Sequence, residues 1–525
     1  MERINKTDTL NRVKLTANIL FSGIGCQERG FENSRLFDLE VLNTSDINKD
    51  AVVSYAAVHC GLTKEMIENY SDYPSREEMA AYLKVINLGY EPEKNKSYDW
   101  DKLARRKSND IEKYWLACKL SNNLGDISKI EKLPYADLWT CSFPCTDISL
   151  AGKMKGLSPS DSTRSSLLWE NIRLLKMAKD DGTLPKYIMF ENVKNLVGKK
   201  FINDFNNLLS VLDELGFNSY WKVLNAKNCG VPQNRERVFV ISIRKDIDNG
   251  TFVFPKPFDT GIRLKDILDE NVDEKYYLSE DVQSRFKFTS QDFSKNVIGT
   301  TKPISRTIGQ RDSVYSKESI MGTLLATDYK QPKQVFEQIP NECVQEGILS
   351  GEKWDKMYEL SRRYYSVNGC SPTIHTCNGG NTEPKISEPQ ITHSEWKRQV
   401  YDRFIEDSEG EISGCVTNQS KSFGYRPPMK GYSKYLKTES NDTGVVCNYR
   451  IRKLTPNEYW KLMGLTEDDC AKAVAIGVSD SQLYKQAGNG IVTTCCELLA
   501  EHLYKAQYDS TYVCTDENFI NPQLK

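Results

Sequence analysis

Short apolar segments that end at Gly or Pro recur through the first half of the chain, and they constrain the fold more than any other feature. One of them runs from Leu138 to Cys141 and breaks at Pro144, and Cys145 comes next. Its length and composition predict a buried strand. Ligands in open α/β sheets gather outside the carboxyl ends of the strands, so the Cys145 thiol is a candidate nucleophile. The alternative is a buried structural cysteine, since the chain has 15 Cys.

Two earlier segments predict a cofactor site. Residues 17–21 read as a first strand, and Gly23 and Gly25 follow it. Glycines there let the backbone turn tightly and approach a ligand at the start of a helix. A second strand over 39–42 ends near Asp46, about twenty residues after the glycines, where nucleotide-binding folds place a carboxylate on ribose hydroxyls. Gly pairs alone are more often plain turns, but the combination favours cofactor binding.

Two further carboxyl groups fall at predicted strand ends. Asp126 stands at the expected end of a third strand, where it either faces a cofactor or is solvated. A helix over 167–177 leads to a strand over 187–190, and Glu191 follows. A carboxyl at a sheet end can act as a general acid when burial raises its pKa, although most Glu at such positions cap the next helix.

Alternating arginines lie between two later strands, predicted over 223–226 and 238–243. The segment contains Arg235 and Arg237. In extended backbone, alternate side chains point to one face, so both guanidinium groups would suit a phosphate or a base carbonyl. Surface ion pairs are the alternative interpretation.

Three charged regions differ from this alternating pattern. Residues 61–123 are rich in Lys and Glu with apolar residues at helical spacing, which predicts a helical insertion. Residues 152–166 predict a mobile loop beside the candidate nucleophile. Residues 412–438 contain no acidic residue and interleave basic with aromatic side chains, which favours phosphate and base contacts over a merely solvated run. The candidate DNA-contacting residues of the last two regions are Lys153, Lys155, Arg164, Lys421, Arg426, Lys430 and Lys434.

Composition limits the class of protein. A chain of 525 residues should form two or three domains. The net charge of −2 gives no overall basic field, so any nucleic-acid contact must come from local patches. No apolar stretch approaches a membrane span, the 15 Cys form no CxxC pair, and only four His are present. We therefore expect a cytoplasmic protein with reduced thiols and no metal site.

The C-terminal part contains two further signals. Thr455 before Pro456, with Glu458 three positions after Thr455, predicts a helix that starts with a capping box. Residues 488–490, Gly-Asn-Gly, predict a turn before a helix through Tyr504, and the amides of that turn could meet a cofactor.

The order of these motifs resembles that of the DNA (cytosine-5) methyltransferase family of bacterial and phage restriction-modification type. The similar blocks are Phe21-Ser-Gly-Ile-Gly25, Phe143-Pro-Cys145, Glu191-Asn-Val193, Gln233-Asn-Arg-Glu-Arg237, Arg452-Lys-Leu-Thr455 with Glu458, and Gly488-Asn489. Six blocks in family order are a specific signal. The sequence departs from the family at Thr146, where Gln is usual, and at Gly490, where Ser is frequent.

The resemblance implies an α/β fold in two domains. Residues 1–265 with 481–525 would form a Rossmann-like, doubly wound, S-adenosylmethionine-dependent methyltransferase domain that carries the helical insertion. Residues 266–480 would form a smaller, mostly β or irregular target-recognition domain. A monomer that acts on double-stranded DNA is expected, with or without a cognate restriction endonuclease.

The resemblance also implies roles for individual residues. Cys145 would attack carbon 6 of a flipped-out cytosine, Glu191 would hold a proton toward ring nitrogen 3, and Arg237, supported by Arg235, would contact the base carbonyl. S-adenosylmethionine would be held by Phe21, Gly23, Gly25, Asp46, Asp126, Ile127 and Asn489, with Asp46 on the ribose and Asp126 on the adenine.

Two other functions remain open at this stage. An RNA cytosine-5 methyltransferase would share the chemistry, but Asp147-Ile148-Ser149 stands where that branch usually has a Phe-Thr pair. A catalytically silent DNA-binding relative would have no need of both Cys145 and Glu191.

Overall fold

A computed structural model describes most of the first expected region and separate parts of the second. It covers residues 12–144 except 92, 93, 107 and 109, then 167–279, 282, 295–301, 312–338 and 449–509, with short strand segments at 287–288, 345–348, 363–365, 385–386, 415–417 and 443–445.

A six-stranded sheet forms the centre of the first region. Its strands, numbered in chain order with the short β6 (Gln233–Asn234), are β1 (Val13–Leu20), β2 (Phe37–Ser45), β3 (Leu138–Cys141), β4 (Tyr187–Val193), β5 (Phe217–Asn225) and β7 (Glu236–Arg244). Their order is β2-β1-β3-β4-β7-β5. Strands β1 to β4 pair in parallel, whereas β7 runs antiparallel to both neighbours. The carboxyl ends of four strands therefore meet at one edge.

Helices cover both faces of this sheet. They are α1 (Cys26–Ser34), α2 (Lys49–His59), α7 (Leu168–Asp180) and α8 (Ile202–Leu215), with a later C-terminal helix. Strand β4 shows the two faces, because Tyr187 and Met189 belong to one hydrophobic cluster while Ile188 and Phe190 belong to another. A sheet buried on both faces is the doubly wound α/β arrangement that the sequence predicted.

Four helices fall within residues 61–123, the segment predicted as a helical insertion. They are α3 (Lys64–Asn69), α4 (Arg76–Val85), α5 (Trp100–Ala104) and α6 (Asp110–Leu120). They enclose a core of their own around Trp100 and Leu103, which also includes residues of α2 such as Val52. The charged composition therefore lies on the outside of a packed helical unit.

A second sheet belongs to the expected target-recognition region. It contains β8 (Lys287–Phe288), β9 (Val297–Thr300), β10 (Ser313–Ser316), β12 (Gln334–Gln338) and β18 (Tyr449–Lys453), in the order β18-β12-β10-β9-β8. Short strands complete the numbering: β11 (Met321–Gly322), β13 (Gln345–Ile348), β14 (Arg363–Tyr365), β15 (Lys385–Ile386), β16 (Cys415–Thr417) and β17 (Thr443–Val445). The described residues of this region thus contain the strands of the second sheet, and two helices that follow β18 also fall within it.

Four helices close the described chain: α9 (Pro456–Leu462), α10 (Glu467–Ala475), α11 (Asp480–Asn489) and α12 (Thr493–Tyr508). Helix α9 begins with the predicted capping box, in which Thr455 and Glu458 bond each other's backbone amides. Tyr459 and Trp460 share a hydrophobic cluster with β1 and α12. The domain boundary at residue 480 remains a prediction. None of the helices in the described part of the chain is both long and apolar enough to cross a membrane.

Candidate active site

The loop after β1 has left-handed backbone angles at three positions, which lets the chain turn tightly. Gly23 and Gly25 have φ angles of 55° and 80°, and Phe21 has a φ angle of 57°. A left-handed phenylalanine is strained, and such strain concentrates at functional sites. An added Cβ at Gly23 would meet no described atom within 4 Å, so open space adjoins the loop. Phe21, Gly23 and Gly25, three of the expected cofactor residues, thus stand at the carboxyl end of β1.

Asp46 fastens this loop to the end of β2. One carboxylate oxygen accepts the Gly23 amide at 2.9 Å, and the other accepts the Asn48 amide at 2.7 Å. Burial raises the pKa of Asp46, although these amides oppose the rise. Each carboxylate oxygen has a second lone pair, so the group retains capacity for a ligand hydroxyl.

Asp126 lies next to the same edge but not at the end of a strand. The predicted third strand is wrong, because only an isolated bridge joins Asn123 to Thr44 and a turn follows at Gly125, where φ is 72°. The Asp126 side chain accepts hydrogen bonds from Asn87 and Ser128. It begins a short 3₁₀ helix, Ile127–Lys129, whose first residue is buried.

Glu191, the carboxyl of the candidate catalytic set, is buried beside an arginine. It lies within β4, opposite Phe239 of β7, so Arg237 is its diagonal neighbour on the same face. The Arg237 Nε atom lies 3.2 Å from the Glu191 carboxylate. Burial raises the pKa of Glu191, and the positive charges of Arg237 and Arg235 only partly oppose it. Relative to an exposed Glu, the site therefore shifts Glu191 toward the protonated form that a general acid needs.

Asn192 joins this acid to the Pro-Cys turn. Its side-chain nitrogen donates to the Phe143 carbonyl at 2.9 Å, and both residues are buried. Cys145, two residues beyond Phe143, lies outside the described residues. On the other side of the turn, Gln27 donates to Ser142 at 3.1 Å. Sequence reasoning missed Asn192 and Gln27 as positioning residues, although Asn192 directly follows the acid.

The two candidate arginines make different side-chain contacts. Arg237 pairs with Glu191, whereas the buried Arg235 donates to the carbonyls of Leu324 at 3.1 Å, Gly488 at 3.1 Å and Gly490 at 2.6 Å. Arg235 thus binds the carboxyl end of α11 and connects it to residues that precede β12. Alternation predicted that both guanidinium groups would point to one face. Arg235, which lies between β6 and β7, instead donates to backbone carbonyls, although its charge, like that of Arg237, lowers the pKa of Glu191.

Asn489 is the last residue of α11 and is exposed. The predicted turn at residues 488–490 is therefore wrong, because the helix continues through Gly488. An added Cβ at Gly488 would lie 2.3 Å from the backbone of Leu325 and Ala326. A glycine inside the helix permits this close approach.

The candidate DNA-contacting residues lie outside the described part of the chain. They are Lys153, Lys155, Arg164, Lys421, Arg426, Lys430 and Lys434. Their roles remain predictions.

Comparisons with known proteins cover most of the chain. A family model described as C-5 cytosine-specific DNA methylase covers residues 74–505. The chain is 32% identical over 492 residues to the type II methyltransferase M2.ScrFI of Lactococcus lactis subsp. cremoris, covering 93% of this chain and 98% of that one. It is 30% identical to the orphan methyltransferase M.Rho11sI of Bacillus phage rho11s, covering 75% of this chain and 92% of that one.

A solved structure, the Schizosaccharomyces pombe Dnmt2 methyltransferase, is 14% identical with a TM-score of 0.42, and it covers 94% of this chain and 98% of that one. That likeness is too weak to bear on substrate. The family match and the bacterial relative extend over most of the chain. The chain belongs to the C-5 cytosine-specific DNA methylase family and is a DNA (cytosine-5) methyltransferase of the restriction-modification type.

Proposed function

We propose that this enzyme methylates carbon 5 of a cytosine flipped out of duplex DNA, through a covalent adduct between Cys145 and carbon 6 of the base. The observation that carries the proposal is the neighbourhood of Glu191. This buried acid stands beside Asn192, whose side chain holds the turn that leads to Cys145. Acid and nucleophile motifs thus meet at the carboxyl edge of the sheet.

S-adenosylmethionine fits the loops after β1 and β2. The strained Phe21 and open space at Gly23 leave room for a ligand, and Asp46 keeps acceptor capacity for ribose hydroxyls. We assign Phe21, Gly23, Gly25, Asp46, Asp126, Ile127 and Asn489 to this site. When bound, the cofactor supplies an electrophilic methyl group.

The protein groups prepare the base for that methyl group. The Cys145 thiolate adds to carbon 6 while Glu191 holds its proton toward ring nitrogen 3, which moves electron density to carbon 5. After methylation of carbon 5, loss of its proton and elimination of the thiolate restore the ring. Arg237 is close enough to Glu191 to contact the same base, and its role is recognition of the cytosine carbonyl. Arg235 supports the site from the end of α11.

Access to carbon 5 and carbon 6 requires a base outside the stack. We propose that the loop with Lys153, Lys155 and Arg164 closes over the flipped base. The basic segment with Lys421, Arg426, Lys430 and Lys434 contacts the DNA backbone, within a target-recognition domain formed by residues 266–480. Residues 1–265 and 481–525 form the catalytic domain. The relatives include type II and orphan enzymes, so they assign no partner nuclease.

Methyl transfer to two nucleic acids tests the proposal. Duplex DNA of genomic complexity and transfer RNA are incubated in parallel with protein and labelled S-adenosylmethionine, and the products are analysed as nucleosides. We expect 5-methylcytosine in DNA only, and no product from Cys145→Ala. Methylation of transfer RNA alone would replace the DNA assignment, and equal product from Cys145→Ala would refute the covalent route.

A further inference from the structure

We propose a divalent transition-metal site formed by Glu28, Glu32 and His59, beneath the cofactor loop. Glu28 and Glu32 lie one helical turn apart on α1, and His59 is the last residue of α2. One donor atom from each side chain lies within 4.8 Å of the others. One imidazole and two carboxylates are a donor set that Mn²⁺, Fe²⁺, Co²⁺ and Zn²⁺ accept.

The histidine tautomer leaves a donor atom directed at the carboxylates. The His59 Nε2 atom lies 3.2 Å from the Ile24 carbonyl oxygen, which can only accept, so Nε2 carries a proton. In the neutral ring Nδ1 then presents a lone pair. The His59 side chain is only 1% exposed, and among the described residues the groups nearest its Nδ1 atom are the Glu28 and Glu32 carboxylates, at 3.6 Å and 3.9 Å. Metal-binding histidines are commonly oriented in this way, with the ring nitrogen that does not bind the metal donating its proton to a backbone carbonyl.

The distances fit a shared ion better than direct pairing. The His59 Nδ1 atom lies 3.6 Å from a Glu28 oxygen and 3.9 Å from a Glu32 oxygen. These separations exceed the hydrogen-bond distances of a charged imidazolium. Two ligand atoms that are each about 2.1 Å from one ion in tetrahedral geometry lie about 3.4 Å apart. A small contraction would therefore close the site around an ion.

Neighbouring groups orient both carboxylates and leave a route for entry. The Tyr55 hydroxyl donates to the Glu28 oxygen that does not face His59. Arg29 donates at 2.8 Å to Glu32 Oε2, the same oxygen that faces His59, so this oxygen would bridge the guanidinium group and the ion. The other terminal nitrogen of Arg29 bonds Asp469 at 2.6 Å, so its charge is shared. The Glu32 side chain is 37% exposed, which gives the ion access from solvent.

The site has a structural position under the cofactor loop. An added Cβ at Gly25 would lie 2.1 Å from the His59 ring, so the loop rests directly on the imidazole. An ion would join α1 to α2, the helices that follow β1 and β2. Sequence spacing did not predict the site, because its ligands lie on two separate helices.

Cobalt binding to the full-length protein tests this site independently of methyl transfer. Metal-free protein is titrated with Co²⁺, and ligand-field absorption is followed alongside the near-ultraviolet band of thiolate ligation. We expect one Co²⁺ per chain without a thiolate band. We also expect Glu32→Gln to lower the affinity at least about tenfold, the lower limit seen when even an outer partner of a metal ligand is removed.

Two further variants complete the test. His59→Gln can keep the bond to Ile24 but lacks the imidazole ligand, so it should also lose binding. Glu40→Gln alters an exposed carboxylate of β2 outside the cluster and should bind like wild type. Absence of Co²⁺ binding by wild type, a thiolate band from the bound ion, or wild-type affinity in Glu32→Gln would each overturn the proposal.

Discussion

Asn192 offers a quantitative test of how the acid and the nucleophile are aligned. Its side chain donates to the Phe143 carbonyl at 2.9 Å and accepts the Val193 amide at 2.8 Å. Asn192→Ala leaves a buried carbonyl without this donor, a loss of about 1–3 kcal/mol in the free energy of unfolding. Because Cys145 is two residues from Phe143, the turn should also shift, and a 1 Å displacement of reacting groups can lower a rate by about 100-fold.

Single-turnover methyl transfer and denaturant unfolding measure the two effects separately. Asn192→Asp retains the acceptor for the Val193 amide but places an oxygen against the Phe143 carbonyl, so its rate should fall at least as far. Ser219→Ala serves as a stability control, since it removes a buried hydroxyl pair with Ser242. It should lower stability without slowing transfer. If Asn192→Ala is destabilised but transfers the methyl group at the wild-type rate, a positioning role for Asn192 is refuted.

Three further predictions concern the acid, the buried arginine and the helix glycine. Burial raises the pKa of Glu191 in the folded state above its unfolded value of about 4.3. Protonated Glu191 therefore stabilises the folded state at pH values below the unfolded pKa, and this stabilisation is lost as the pH rises through the folded pKa. The free energy of unfolding of Glu191→Gln should therefore exceed that of wild type at about pH 8 but not at about pH 4. The variant should also lose activity. Arg237→Leu removes an opposing charge and should move the alkaline limb of the rate profile to higher pH. Arg235→Ala should cost about 3 kcal/mol in denaturant unfolding because three backbone carbonyls lose a charged donor, and Arg235→Lys should restore only part of it. Gly488→Ala should cost about 1–3 kcal/mol by overpacking, whereas Gly490→Ala, with φ of −68° and a nearest contact of 3.3 Å, should cost less. Equal costs for these two glycine variants would contradict the close approach.

The sequence predicted the central strands well where apolar runs are short and bounded by breakers. The strand predicted over 138–141 matches β3. The strand predicted over 187–190 continues to Val193 in β4, so Glu191 lies inside the strand and not after its end. Strand β1 is longer than predicted because it begins at Val13, where polar residues alternate before the apolar run. The antiparallel direction of β7 was not predicted, because pairing direction is not encoded in a strand's own composition.

Contacts between distant segments account for the errors. Arg235 bonds carbonyls that are 89 and 253 residues away, so its direction could not follow from local alternation. The sequence predicted a turn at Gly488, but this residue lies in a helix. Glycine is needed there because the Leu325 backbone leaves no room for a Cβ atom. The Asn192 contact joins segments 49 residues apart, although both ends fall within recognisable motifs.

Trapping on DNA that contains 5-fluorocytosine tests the central claim most directly, because fluorine at carbon 5 blocks the final proton loss. Protein, trap DNA and S-adenosylmethionine are incubated, denatured and digested, and the modified peptide is identified by mass spectrometry. We expect one denaturation-resistant adduct per chain, on the peptide that contains Cys145, and none from Cys145→Ala. An adduct on another cysteine, or turnover of ordinary DNA without any trapped species, would contradict the account.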